Sequence, residues 1–169
     1  MNSTKKFVVL GLLISQALVL HIIEGFLPIP FVAPGAKLGL ANIVTLSAII
    51  LFGFKEALIV LVLRSVLGSL LAGTISSLLF SLAGGILSTM VMAALYRYKN
   101  AFSIVAISIA GGVIHNMGQL FVAAVMVNNF GIYVYLPILL IAGVATGIFI
   151  GLATKFLNKY INNRLFGLF

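Results

Sequence analysis

Lys5-Lys6-Phe7-Val-Val-Leu-Gly-Leu-Leu-Ile-Ser15-Gln16-Ala17-Leu-Val-Leu20, followed without a break by His21-Ile-Ile-Glu24-Gly-Phe26, is the stretch on which the fold turns. Two lysines before an apolar run resemble the opening of a secretory signal, and Ser15-Gln16-Ala17 resembles its cleavage site. That tripeptide, however, lies inside the apolar run. The run continues to about Phe26 and so supplies the roughly 20 residues that a bilayer span requires. The stretch is therefore expected to be an uncleaved first transmembrane helix.

Working outward, segments of the same kind recur along all 169 residues. The chain is 63% hydrophobic and 7% charged, against roughly 25% charged in an average soluble domain. Too little polar surface remains to coat a water-soluble globule, so an integral membrane protein is expected, built as one domain over residues 1–169. Backbone amides cannot stay unpaired in hydrocarbon and no barrel-type alternation is present, which makes the expected class all-α, a polytopic bundle of six transmembrane helices. The first spans about Lys6 to Phe26, and Pro28, Pro30 and Pro34 then force an irregular loop. The second is short, about Lys37 to Phe52. Gly53-Phe54-Lys55-Glu56 turns into the third, about Lys55 to Ala72, and Gly73-Thr74-Ile75-Ser76 leads to the fourth, ending near Tyr96. Arg97-Tyr98-Lys99-Asn100 is the clearest polar break. The fifth runs about Phe102 to Val127, Asn128-Asn129-Phe130-Gly131 is a turn, and the sixth runs about Tyr135 to Leu157.

Lys and Arg near helix ends are retained on the cytoplasmic side. With both termini cytoplasmic, Lys5, Lys6, Lys55, Arg97, Lys99, Lys155, Lys159 and Arg164 share one face and the outer loops keep only Lys37. The net charge of +8 is then mostly a cytoplasmic rim in contact with the lipid bilayer, and needs no nucleic acid partner. The absence of cysteine removes disulfides and thiolate metal sites, and two histidines cannot make a structural zinc site unaided. Neither a Gly-Lys-Ser/Thr phosphate loop nor a Walker-B acid exists, so energy for any uptake would come from a partner ATPase or an ion gradient.

Against this apolar background a few polar side chains stand out. Arg64 lies midway along the third helix, too far from either end to snorkel easily, and an intramembrane cation marks either a ligand or coupling site or a structural ion pair. His115, Asn116 and Gln119 sit together on the fifth helix, spaced to share a face and surrounded by Gly111, Gly112 and Gly118. The choice there is between hydrogen-bonded core and a lined cavity. A third group comprises His21 and Glu24 on the first helix with Lys37 and Asn42 near the start of the second. Glu24 is either interfacial, paired with Lys37 or Arg64, or a ligand contact. All three groups fall at mid-depth or outward of it, which suggests a cavity opening outward. If Glu24 neutralises one cation, another remains for an anionic ligand. The binding candidates are thus Glu24, Lys37, Asn42, Arg64, His115, Asn116 and Gln119, with no catalytic residue, metal site or cofactor. Gly143, Gly147 and Gly151 form a flat stripe for close helix packing, and Gly11 with Ser15 makes a shorter one on the first helix.

Ala33-Pro-Gly-Ala-Lys-Leu-Gly-Leu-Ala-Asn-Ile-Val-Thr45, Gly53-Phe-Lys-Glu-Ala57, Leu63-Arg-Ser-Val-Leu-Gly-Ser69, Ser81-Leu-Ala-Gly-Gly85 and His115-Asn-Met-Gly-Gln119 carry a resemblance over nearly the whole chain. They resemble a bacterial membrane family known both as the Gx transporter family and as heptaprenyl diphosphate synthase component I. That family is similar in size and helix count to the substrate-binding S components of energy-coupling-factor transporters, which hold ligands near the outer face beneath the first loop. The resemblance implies a multi-pass protein of the bacterial cytoplasmic (inner) membrane. It further implies that Gly11 and Ser15 match the small residues contacting a transmembrane coupling subunit with its ATPases. The other name points to a soluble prenyl diphosphate synthase as partner. Head-to-tail prenyl synthases hold Mg²⁺ on aspartate-rich motifs, whereas this chain has no Asp and only Glu24 and Glu56 as acids, expected on opposite sides of the membrane. The leading expectation is therefore a non-enzymatic binding subunit that captures a small anionic, amphipathic molecule from outside. A non-catalytic membrane component of a prenyl synthase is the alternative.

Overall fold

The structure, a computed structural model, describes residues 3–26, 39–72 and 75–161. Among these residues it is all helical: α1 (Ser3–Gly25), α2 (Asn42–Phe52), α3 (Phe54–Ala72), α4 (Ile75–Tyr96), α5 (Ile104–Val127), a short 3-10 helix (Phe130–Tyr135) and α6 (Leu136–Ile161). Four segments are long and apolar enough to cross a membrane: Thr4–Gly25, Ile75–Tyr96, Ile104–Val127, and Phe130–Ile161, which is α6 together with its 3-10 entry. This is a membrane protein. Expected boundaries and observed ones differ most at α2. A start near Lys37 was expected, but residues 39–41 form a turn in which the Asn42 amide donates to the Gly39 carbonyl at 2.8 Å. Gly39 takes φ +84° there, a conformation only glycine adopts without strain. Eleven residues rise only about 16 Å, half of a bilayer core. The second helix, expected to be short, is shorter still: α2 is a half-length helix of 11 residues, and α3 carries Lys55, Glu56 and Arg64 within its 19 residues.

The remaining ends follow local chemistry. Gly53, at φ +99°, closes α2 by donating to the carbonyls of Ala48 and Ile49, and its own carbonyl accepts from Ala57 at 3.2 Å. A single residue thus joins two antiparallel helices. Ser103 caps α5 by accepting from the Ala106 amide at 3.1 Å, which starts that helix at Ile104, two residues later than expected. Left-handed Asn128 ends it, and the Asn129 side chain accepts from the Gly131 amide at 2.8 Å to open the 3-10 turn. Pro137 sits in the first turn of α6, where its missing N–H costs nothing. The proline-rich stretch with Pro28, Pro30, Pro34 and Lys37, the Gly73-Thr74 link, and Arg164 lie outside the described residues.

α2 packs against α1, α3, α4 and α6, while α4, α5 and α6 form a consecutive antiparallel layer. The glycine stripe of α6 is what lets α5 close on it. A Cβ at Gly143 would stand 2.9 Å from Val113 Cα, one at Gly147 would stand 2.5 Å from Ile109 Cα, and one at Gly151 would stand 2.7 Å from Val105 Cα. The α4–α5 contact relies on the same device, with a Cβ at Gly118 falling 3.0 Å from Gly84 Cα. Lys6 Nζ donates to Glu56 Oε1 at 2.5 Å and ties the start of α1 to the start of α3. The antiparallel order then places Lys55, Arg97, Lys99, Lys155 and Lys159 at that same, basic end. The apolar core, including Leu13, Leu46, Ala57, Val60, Met92 and Ile107, fills the half of the bundle nearest to it. Buried Thr45, Ser47, Ser88, Thr89, Ser108, Thr154 and Asn158 also lie in that half, while His21, Glu24, Asn42, Arg64, His115, Asn116 and Gln119 lie from mid-depth to the opposite end.

Candidate functional site: a buried arginine at the start of a half-length helix

Asn42 and Arg64 each lie eleven residues from Gly53 along antiparallel helices, and so reach the same depth, about 16 Å from the link. Arg64 is 2% exposed. Its Nη2 donates to Asn42 Oδ1 at 3.0 Å, while its Nε–H is buried with no hydrogen-bond partner among the described residues. Glu24, also 2% exposed, comes from the far end of α1. Its Oε1 accepts from the backbone amides of Gly39 and of Leu40, the latter at 3.2 Å, and the carboxylate interacts coulombically with the Arg64 guanidinium. Those amides precede the first turn of α2, so the carboxylate also sits at the positive end of that helix.

From α5, His115 reaches the same cluster, with Nδ1 3.4 Å from Asn42 Nδ2. Its Nε2 lies 2.8 Å from Gln119 Nε2, one helical turn on. With the Gln119 amide donating, Nε2 is the acceptor and the ring proton falls on Nδ1, the nitrogen beside Gly84, whose backbone hydrogen-bonds the ring; Asn42 Nδ2, itself a donor, then touches Nδ1 without sharing a proton. Glycine at 84 is required for this approach, since a Cβ there would lie 3.0 Å from Nδ1. Gly39 presses on the other side of the ring, its Cβ position 3.2 Å from Cδ2.

Of the seven residues singled out in the sequence, Glu24, Asn42, Arg64, His115 and Gln119 converge on one cluster. Asn116 does not join it: its Nδ2 donates to the Leu139 carbonyl at 2.8 Å and anchors α5 to α6. Lys37 lies outside the described residues. His21 is buried against Gly68 of α3, one turn beyond Arg64. Gly39 and Leu40, whose amides hold Glu24, were missed by sequence reasoning; only the Gly in Lys37-Leu-Gly-Leu40 hinted at a turn. Gly11 and Ser15 are exposed on α1, the Ser15 hydroxyl donating to the Gly11 carbonyl at 3.0 Å, and nothing lies within 4 Å of a Cβ placed on Gly11. The two acids sit at opposite ends of α1, Glu24 on it and Glu56 against Lys6. Among the described residues no group of three or more His, Cys, Asp or Glu side chains is assembled for a metal ion.

Fold and site together define a helical membrane protein with a buried, hydrogen-bonded cluster that holds one carboxylate and one guanidinium. The chain belongs to the heptaprenyl diphosphate synthase component I family, whose model matches residues 13–157. Comparison with curated proteins and with solved structures returned no match.

Proposed function

We propose that the protein is a non-catalytic, substrate-binding membrane subunit, similar in role to the S components of energy-coupling-factor transporters. It takes a small anionic molecule from the outer face for uptake across the bacterial cytoplasmic membrane. One observation carries the reading: a fully buried guanidinium keeps an Nε–H donor unpartnered among the described residues, while the neighbouring carboxylate is engaged by two backbone amides. A buried charged donor without an acceptor is costly, and an incoming anion removes that cost while gaining a charge-assisted hydrogen bond. Asn42 orients the arginine, and Gln119 holds the His115 ring beside Asn42. In the orientation proposed here the basic end faces the cytoplasm, so the half of the bundle that holds the Arg64 cluster faces outward. The open Gly11–Ser15 face of α1 is free to receive a helix of a coupling subunit.

Purification in mild detergent followed by mass spectrometry of bound small molecules tests this. An anion is expected to co-purify with the wild type and to be lost from Arg64→Leu. A bundle that carries nothing, or an anion retained equally by Arg64→Leu, would return the arginine to a purely structural role.

A second reading draws on the family description: a membrane component that anchors or feeds a soluble prenyl diphosphate synthase. The absence of Asp from the chain supports an accessory rather than a catalytic part in such an assembly. A pulldown from native membranes separates the two, because recovery of a prenyl synthase without a coupling subunit and ATPases would reverse their order.

A further inference from the structure

The hydroxyls of Ser65 and Ser69 on α3 and of Ser77 on α4 are buried, with the residues 0%, 6% and 3% exposed, and none has a hydrogen-bond partner among the described residues. Hydroxyls on apolar helices ordinarily bond a carbonyl on the preceding turn. Ser47, Thr89 and Thr146 do so here, donating to the carbonyls of Ile43, Gly85 and Ala142 at 2.8, 2.7 and 2.9 Å. A fourth such hydroxyl, Ser108, lies apart on α5, but Ser65, Ser69 and Ser77 share a register. The Leu61 side chain packs where a Cβ on Gly85 would fall, which sets residue 61 of α3 opposite residue 85 of α4. One turn further from the basic end, Ser65 therefore faces Ser81, and one turn beyond that Ser69 faces Ser77. Successive rungs of the α3–α4 seam are thus an apolar pair and then two serine pairs. The series begins beside Arg64, whose own Nε–H is unpartnered, and α1 flanks it where His21 packs on Gly68.

We infer that this α3–α4 serine seam is the part of the binding site that receives the uncharged body of the anion, and that this body itself carries hydrogen-bond donors and acceptors. The inference rests on the anion-binding reading of Arg64 and extends it to ligand class. A hydrocarbon tail laid along the seam would leave the hydroxyls unpaired, whereas a hydroxylated or amide-bearing chain would pair them. A prenyl tail is therefore the wrong occupant, and a compact polar anion the right one.

The cysteine-free chain allows a direct test in right-side-out membrane vesicles. Ser65→Cys, Ser69→Cys and Ser77→Cys are made singly and treated with 2-sulfonatoethyl methanethiosulfonate or its trimethylammonium counterpart. Buried controls are Ser88→Cys, whose native hydroxyl bonds the Gly85 carbonyl, and Ser108→Cys, an unpartnered hydroxyl beside Gly151 in the close-packed α5–α6 seam. Asn129→Cys, in an exposed turn, is the positive control. The seam variants are expected to label at least about tenfold faster than both buried controls, with the anionic reagent preferred and that preference removed by adding Arg64→Gln. Seam labelling no faster than the buried controls, with Asn129→Cys fully labelled, would overturn the seam, while loss of the co-purified anion in Arg64→Gln would still uphold the anion site. Seam labelling that ignores reagent charge would overturn the anion reading beneath it. The body is read by mass spectrometry of the co-purified molecule: a polar body supports the proposal, and a hydrocarbon tail sinks it.

Discussion

Arg64 and Gly39 show how much can depend on one atom. In Arg64 it is the Nε–H, which Lys lacks, so Arg64→Lys keeps the charge but not the geometry. It is expected to bind the co-purifying anion at least about tenfold more weakly, while Arg64→Leu binds none yet still inserts, as ligand titration and membrane fractionation would report. In Gly39 it is the missing Cβ. At φ +84° an added methyl would stand 3.0 Å from Asn42 Nδ2 and 3.2 Å from the His115 ring. Gly39→Ala is expected to destabilise the bundle by about 1–3 kcal/mol, seen as a lower melting temperature in detergent. An unchanged value would mean that the turn before α2 relaxes freely. The candidates themselves were legible because a charge or amide in an apolar run is conspicuous wherever it sits. Their partners were not: Asn116 reads the same as Gln119 in the sequence, yet it bonds Leu139 rather than the arginine cluster.

Helices obey a different logic, since hydropathy marks where they lie but glycine decides how closely they pack. The α6 stripe was visible as Gly143, Gly147 and Gly151 at intervals of four, and its target on α5 was not, because nothing local records which helix will be adjacent. A Cβ at Gly147 would meet Ile109 Cα at 2.5 Å and the Ser108 carbonyl at 2.9 Å, backbone that cannot rotate away. Gly147→Ala should therefore cost about 1–3 kcal/mol. Gly11→Ala, with nothing within 4 Å, should leave melting unchanged; under the proposed S-component reading its one effect is weaker association with a coupling subunit. Equal melting of the two variants would argue that the α6 stripe is not the closest contact of the bundle. The length of α2 belongs to this scale too: the apolar pattern runs on through Leu38 and Leu40, and only the turn at Gly39 shows that the helix starts at Asn42.

Across the whole molecule the two acids hold opposite ends of α1 and differ in consequence. The Lys6–Glu56 pair is partly exposed, with side chains 40% and 18% accessible, and such pairs contribute little; Glu56→Gln should change stability by at most about 1 kcal/mol, less in high salt. Glu24 is buried and accepts from two backbone amides, so Glu24→Ala, which leaves those amides unsatisfied, should cost more, about 1–3 kcal/mol. Chemical or thermal denaturation of the two variants side by side gives the comparison, and a larger loss for Glu56→Gln would reverse this ranking.

The sequence by itself determined the class of protein, the helices, the gathering of basic residues at one end and the short list of polar side chains. Each of these is written in composition and local spacing, which the bilayer and the backbone's need for hydrogen bonds convert directly into structure. Only the tertiary structure decided that α2 begins at mid-depth, that Glu24 reaches the Gly39 and Leu40 amides, and that Arg64 meets Asn42 while Asn116 turns to α6. Those outcomes depend on the relative register of helices far apart in the chain, set by glycine contacts and by the one-residue link at Gly53, and no single segment carries that information.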